Sequence, residues 1–232
     1  MLKLRPCRGM ATVRSIFALT LLLAGSAAFA QFSRELRLAQ PRMNGNDVKV
    51  VQERLLFLGF AEIGEADGWF GPKTELAVKK FQEYLGYAPD GILGREAYIS
   101  LLSKDRLLVS LMQDIKSTES LKLKSYKLIE DDIEGRSTEG GQRKRYYDNG
   151  QLAFVEIGIL GELGKVEYRV SRLADRYLIR SKLFSYPSPF DVEHATIGYS
   201  TYYWTTTDSF VWKDGKSTKG ERNVPRILDL VQ

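Results

Sequence analysis

The chain has 232 residues, a formal net charge of +5 and one cysteine, a length that holds one large domain or two small ones. Four of its 34 basic residues, Lys3, Arg5, Arg8 and Arg14, fall in the first thirty positions, where no acidic residue occurs; without that segment 30 basic residues face 29 acidic ones, a net of +1. A near-neutral remainder argues against nucleic-acid binding, which needs a concentrated basic face to displace counterions.

Residues 1–30 read as an export signal. The basic start is followed by the almost wholly apolar run Ile16–Ala24, and Ala28-Phe29-Ala30 places small residues where a signal peptidase reads them, so cleavage is expected before Gln31. The run is far shorter than the roughly 20 residues of a membrane-spanning helix, and no span is expected after cleavage. Cys7 lies inside this segment, so the mature chain has neither a disulfide nor a thiol nucleophile. The expected location is periplasmic or secreted.

Residues 31–39 are a polar lead-in, and 40–104 read as a small helical domain. Val48, Val51, Leu55 and Leu58 recur at helical spacing, with Asn46 or Asp47 available as a cap and Gly59 as the stop. A second helix begins at Pro72, with Leu76, Ala77, Phe81 and Leu85 on one face, and ends at Gly86. A third spans about 95–103, with Ala97, Tyr98, Leu101 and Leu102 inward. The stretch repeats internally: Val48-x3-Gln52 returns as Val78-x3-Gln82, and Asp67-Gly68-Trp69-Phe70-Gly71 returns as Asp90-Gly91-Ile92-Leu93-Gly94. Asp-Gly favours a turn because glycine takes positive φ freely and aspartate bonds its own nearby backbone.

Residues 105–140 read as a linking helix, with Leu107, Leu108, Leu111, Met112 and Ile115 at helical spacing, followed by a polar joint or long loop around Glu130 to Gly141. Residues 141–232 read as an antiparallel β domain of four to six strands. Asp148-Asn149-Gly150 marks a hairpin, Val166, Tyr168 and Val170 alternate with polar neighbours, and Asp214-Gly215 marks a later turn. The tail from Val224 to Leu230 forms a short helix or covers an edge. The fold class expected is α+β: a small three-helix bundle followed by an antiparallel β-rich domain.

The ordered set Val48, Gln52, Leu55, Gly59, Asp67, Gly68, Phe70, Gly71, Thr74, Ala77, Phe81, Gln82, Asp90, Gly91 and Gly94 resembles the three-helix peptidoglycan-binding domain of bacterial cell-wall proteins. The resemblance covers about residues 40–104 and implies wall binding without chemistry of its own. It places the peptidoglycan contacts at Asp67, Gly68, Trp69, Phe70, Asp90, Gly91, Gln52 and Gln82. Trp69 and Phe70 can offer a ring face to a sugar. The bland readings stand beside these: Phe70 as core, the aspartates as loop-shaping groups, the glutamines as side chains that hold the loops.

No catalytic residue, metal site or cofactor is expected. The mature chain has no cysteine for a transpeptidase, one histidine (His194) where a zinc hydrolase needs two or three, and no Gly-x-Ser-x-Gly elbow. A glycosidase needs only two carboxylates, which counting does not exclude. The leading expectation is an exported non-catalytic peptidoglycan-binding protein whose β domain takes a second partner, such as another envelope protein, or binds the same wall. The alternative is a peptidoglycan hydrolase of unrecognised type targeted by the helical module. Tyr199, Tyr202, Tyr203 and Trp204 are read as sheet core or as a binding face.

Overall fold

The computed structural model describes residues 32–121, 125–135, 137–205, 208–219, 227–229 and 231. The expected signal segment and its cleavage point lie outside the described residues. Those residues form four α-helices and an eight-stranded antiparallel sheet, an α+β fold. No helix among them is long and apolar enough to cross a membrane.

Helix α1 spans Asn46–Phe57, α2 Pro72–Tyr84, α3 Arg95–Leu102 and α4 Arg106–Ser120, with one 3-10 turn at Ala61–Ile63. Gly45, rather than Asn46 or Asp47, holds the cap position of α1, without a side-chain bond; Asp47 still accepts the first-turn Val48 N–H at 3.0 Å and pairs with Arg34 Nε at 2.8 Å. Pro72 opens α2, where its missing N–H costs nothing. Leu76 points away from the core at 49 % exposure, because the buried face of α2 runs through Thr74, Ala77, Val78, Phe81 and Gln82. The polar lead-in is more ordered than its composition suggests. Leu36 is fully buried and exchanges backbone bonds with Leu93, and Asn44 bridges to Trp69.

Helix α4 starts at an Asp105 cap that accepts from Leu107 N–H at 2.9 Å, and buries Leu108, Leu111, Met112 and Ile115. It is the further helix that the spacing of Leu107, Leu108, Leu111, Met112 and Ile115 predicts, and it follows the three of the expected bundle. The Tyr84 hydroxyl donates to Glu119, and the Lys116 ammonium lies 4.0 Å from the Phe60 ring centroid.

The sheet is a simple meander: β1 Lys127–Ile133, β2 Gly141–Asp148, β3 Gln151–Gly161, β4 Gly164–Arg172, β5 Arg176–Ser185, β6 Thr196–Thr205, β7 Ser209–Lys213 and β8 Lys216–Lys219, each paired antiparallel with the next. The stretch 141–232 holds seven strands, β2–β8, where four to six are expected, and β1 precedes it. The stretch read as a joint after Glu130 begins inside β1, whose polar residues are exposed or answered across the strand pair. Glu130 meets Lys144 at 3.3 Å, and Asp131 meets Arg145 at 2.8 Å. Strand β8 is exposed throughout, so no apolar alternation betrays it. The two Asx-Gly turns have positive φ at both central residues, 49° and 80° at Asn149-Gly150 and 50° and 71° at Asp214-Gly215, the twist that matches a tight hairpin.

Alternation along the strands gives the sheet two distinct faces. One buries Val155, Ile157, Val170 and Ile179, with Tyr202 and Trp204 packed alongside. Ile227 and Leu228 are helical and lie with Val231 over this cluster, so the described part of the tail is helical and covers a face rather than an edge; residues 220–226, 230 and 232 lie outside the described residues. The opposite face carries Phe154, Leu178 and Tyr203, and it meets the helices. The Tyr203 hydroxyl donates to Asp114 of α4 at 2.5 Å, and Arg176 approaches the same carboxylate at 2.9 Å. Lys182 pairs with Glu83 of α2 at 3.2 Å. The end of α2 is also pinned by backbone: Asp214 N–H donates to Gly86 C=O and Gly215 N–H to Leu85 C=O, each at 3.0 Å. Tyr203 is therefore buried against helix, while Tyr202 and Trp204 belong to the other core.

Candidate wall-binding loops

The two Asp-Gly loops are built from one plan. In the first, the buried Gln52 side chain reaches from α1 across the loop. Its amide nitrogen donates to Asp67 Oδ1 at 2.9 Å, to Trp69 C=O at 3.1 Å and to Thr74 Oγ1 at 3.1 Å, while its oxygen accepts from Gly68 N–H at 2.8 Å. In the second, Gln82 of α2 donates to Asp90 Oδ1 at 2.7 Å and Ile92 C=O at 3.0 Å, and accepts from Gly91 N–H at 2.8 Å. Each aspartate then takes a backbone N–H two residues on, from Trp69 at 2.9 Å and from Ile92 at 2.8 Å. The Trp69 N–H, then the Gln52 amide, hold the Asp67 carboxyl below the usual carboxylate range, because both stabilise its charged form.

Glycine is required at the centre of each loop. Gly68 has φ +79° and Gly91 φ +78°. A Cβ on Gly91 would also lie 2.8 Å from Glu75 Cγ and Lys79 Cε.

The expected contact residues therefore separate. Phe70, Gln52 and Gln82 are buried, and Gly68 and Gly91 are buried beneath their loops. Phe70 fills the core, and the glutamines use both ends of their amides on the loops. Asp67 and Asp90 are exposed but tied to their own loop backbone. Trp69 stands 48 % exposed at the loop surface. The matching position of the second repeat is Ile92, partly buried and not aromatic. The repeat is thus symmetric in its scaffold and asymmetric in what it presents, with the ring on the first loop only.

Thr74 escaped the sequence reading as a loop-holding residue. Its polarity on the buried face of α2 is the signal that could have found it. His194 is exposed on the β5–β6 connection and pairs with Asp191 Oδ1 at 2.6 Å. No group of three possible metal ligands occurs among the described residues.

Two helices joined to two glutamine-braced Asp-Gly loops define a small repeated module, and this is the stretch that the comparisons match. Residues 44–99 match the family described as a putative peptidoglycan binding domain. Through this stretch the chain belongs to that family. Over 70 residues, 28 % of this chain, it is 39 % identical to the N-acetylmuramoyl-L-alanine amidase CwlL of Bacillus licheniformis, covering 19 % of that protein. Over 93 residues, 40 % of this chain, it is 37 % identical to the N-acetylmuramoyl-L-alanine amidase CwlM of Mycobacterium tuberculosis, covering 21 % of it. It is 40 % identical over 80 residues to an uncharacterized protein of Kitasatospora aureofaciens, spanning 31 % of this chain and 67 % of that one. The chain thus covers only 19 % and 21 % of the two amidases it matches. No solved structure matches it at a significant level.

Proposed function

We propose that this is an exported, non-catalytic protein that binds peptidoglycan through the first Asp-Gly loop, with Trp69 as the principal contact. The observation that carries the reading is a half-exposed indole on a loop that a buried glutamine holds rigid. A ring presented this way can cover the apolar face of a sugar while its rim stays wet, and a preorganised loop pays little ordering entropy on binding. Asp67 and Asp90 are the flanking groups with surface left to accept hydrogen bonds from wall hydroxyls. The glutamines and glycines act by positioning. The β sheet is the part carried to the wall, in the periplasm or outside the cell.

The amidase names of two relatives favour a second reading, a hydrolase targeted by the module. Both matches cover about a fifth of those proteins. This chain carries one histidine, and His194 is exposed beside a single aspartate.

Co-sedimentation of the chain from Gln31 onward with purified sacculi tests the first reading. The protein is expected to pellet, and Trp69→Ala to bind about tenfold more weakly, equivalent to about 1.4 kcal/mol. A wild-type protein that stays in the supernatant refutes wall binding. Release of soluble muropeptides from the same sacculi moves the assignment to the hydrolase.

A further inference from the structure

A cavity of about 490 Å³ opens between α2 and the sheet face that carries Tyr203. Its size falls in the range of small-ligand sites, roughly 300–1,000 Å³. Cross-strand register builds its floor. Lys144, Glu156, Arg169 and Arg180 stand in one row across four neighbouring strands, and Glu167 and Lys182 face each other in the next row. Glu83 of α2 forms part of the opposite wall.

Most of these charges are answered. Arg169 Nη1 meets Glu156 Oε1 at 2.6 Å, and the Tyr146 hydroxyl donates to the other Glu156 oxygen at 2.9 Å. Lys182 pairs with Glu83 at 3.2 Å, Glu167 with Lys165 at 2.8 Å, and Lys144 with Glu130 at 3.3 Å. Arg180 has no carboxylate partner among the described residues. Its guanidinium carbon lies 5.4 Å from the Tyr84 ring centroid, and its strand position is directly opposite Arg169. Like charges directly opposed on one sheet face repel. Arg169 adds to the imbalance, since its Nε and Nη2 are buried without a hydrogen-bond partner. Burial first, and the Arg180 charge as well, act to pull the Arg169 guanidinium below its ordinary value.

We propose that this cleft binds the free C-terminal carboxylate of a short peptide, seated on Arg180 beside Arg169. A planar guanidinium with an open face matches a carboxylate in two parallel bonds. One negative charge there offsets the repulsion between the two arginines. The walls also set an upper limit on ligand charge. Four cations and three carboxylates line the cavity, so a single negative charge balances them and a multiply charged phosphate meets three glutamates. This site is separate from the Trp69 loop and does not rest on wall binding.

The test is an NMR titration of the chain from Gln31 onward, with arginine side chains labelled. The probes are alanyl-alanine, its C-terminal amide and inorganic phosphate. Alanyl-alanine is expected to shift the Arg180 Nε–H signal saturably, with the amide at least tenfold weaker and phosphate weaker than the dipeptide. Arg180→Gln is expected to abolish the saturable shift elsewhere in the cleft, and Trp69→Ala to leave it unchanged. Equal binding of acid and amide, stronger binding of phosphate, no saturable shift, or wild-type affinity in Arg180→Gln each overturns the proposal. Should Arg180→Gln fail to fold, the comparison of acid with amide on the unaltered chain decides alone.

Discussion

Gln52 and Gln82 make the same contacts to two different loops, each clamping an aspartate Oδ1, a backbone carbonyl and a glycine N–H with one buried amide. Neither side chain has a polar atom to spare for solvent or ligand. Gln52→Ala and Gln82→Ala are each expected to cost about 1–3 kcal/mol, because the glycine N–H loses its acceptor inside the fold. Urea denaturation reads this directly. Only Gln52→Ala is expected to weaken sacculus binding strongly as well, since only its loop carries the exposed ring.

Trp69 and Phe70 are neighbours in sequence with opposite duties. Trp69→Ala is expected to change stability by no more than about 1 kcal/mol, as a half-exposed surface substitution. Phe70→Ala empties a fully buried site and is expected to cost about 3–5 kcal/mol. Paired denaturation curves check the contrast; similar losses at both positions would remove Trp69 from the surface.

Gly86 lies directly against the β7–β8 hairpin. An added Cβ would sit 2.8 Å from both Lys213 Cα and Trp212 O, at a φ of +76°. Gly64 has a similar φ of +83° with nothing within 4 Å. Gly64→Ala therefore measures the backbone cost alone, about 1–3 kcal/mol. Gly86→Ala is expected to exceed it and to speed proteolysis of the β7–β8 hairpin. Equal effects at the two glycines would mean that the hairpin contact is dispensable.

Asp131 links strand pairing to pH. The Arg143 guanidinium first, and Arg145 as well, hold its carboxyl below the usual range. A carboxyl depressed in the folded state contributes stability that is fully present above its unfolded value, near about 4, and is lost as pH falls through the lower folded value. Acid unfolding of the wild type is therefore expected to steepen below about pH 4, and Asp131→Asn to flatten part of that limb. Asp47 and Asp67 are depressed too, so a slope remains in the variant. Melting temperatures between pH 2 and 7 decide it; identical acid limbs would assign Asp131 no share.

The helices and both loops were legible because their signals are local. A glycine after a helix, a proline at its first turn and an aspartate before a glycine each act within a few residues. The β1 strand was not legible. Glu130, Asp131 and Asp132 look like solvent-exposed linker until Lys144, Arg143 and Arg145 stand across from them. Leu76 misled for a related reason: helical spacing admits it to the apolar stripe, but the neighbouring elements meet Ala77 and Val78 instead.

By itself the amino-acid sequence determined the α+β class, the repeated loop with its glutamine, and the resemblance of residues 40–104 to a wall-binding domain, all of which depend on short-range spacing. Only the tertiary structure decided which residues of that motif remain at the surface. Burial is set by what packs opposite, and this left Trp69 outside while Phe70, Gln52 and Gln82 went in. Only the tertiary structure, too, brought Arg169 and Arg180 face to face under α2. Their meeting depends on strand register and on a helix some hundred residues earlier in the chain, and no local pattern encodes either.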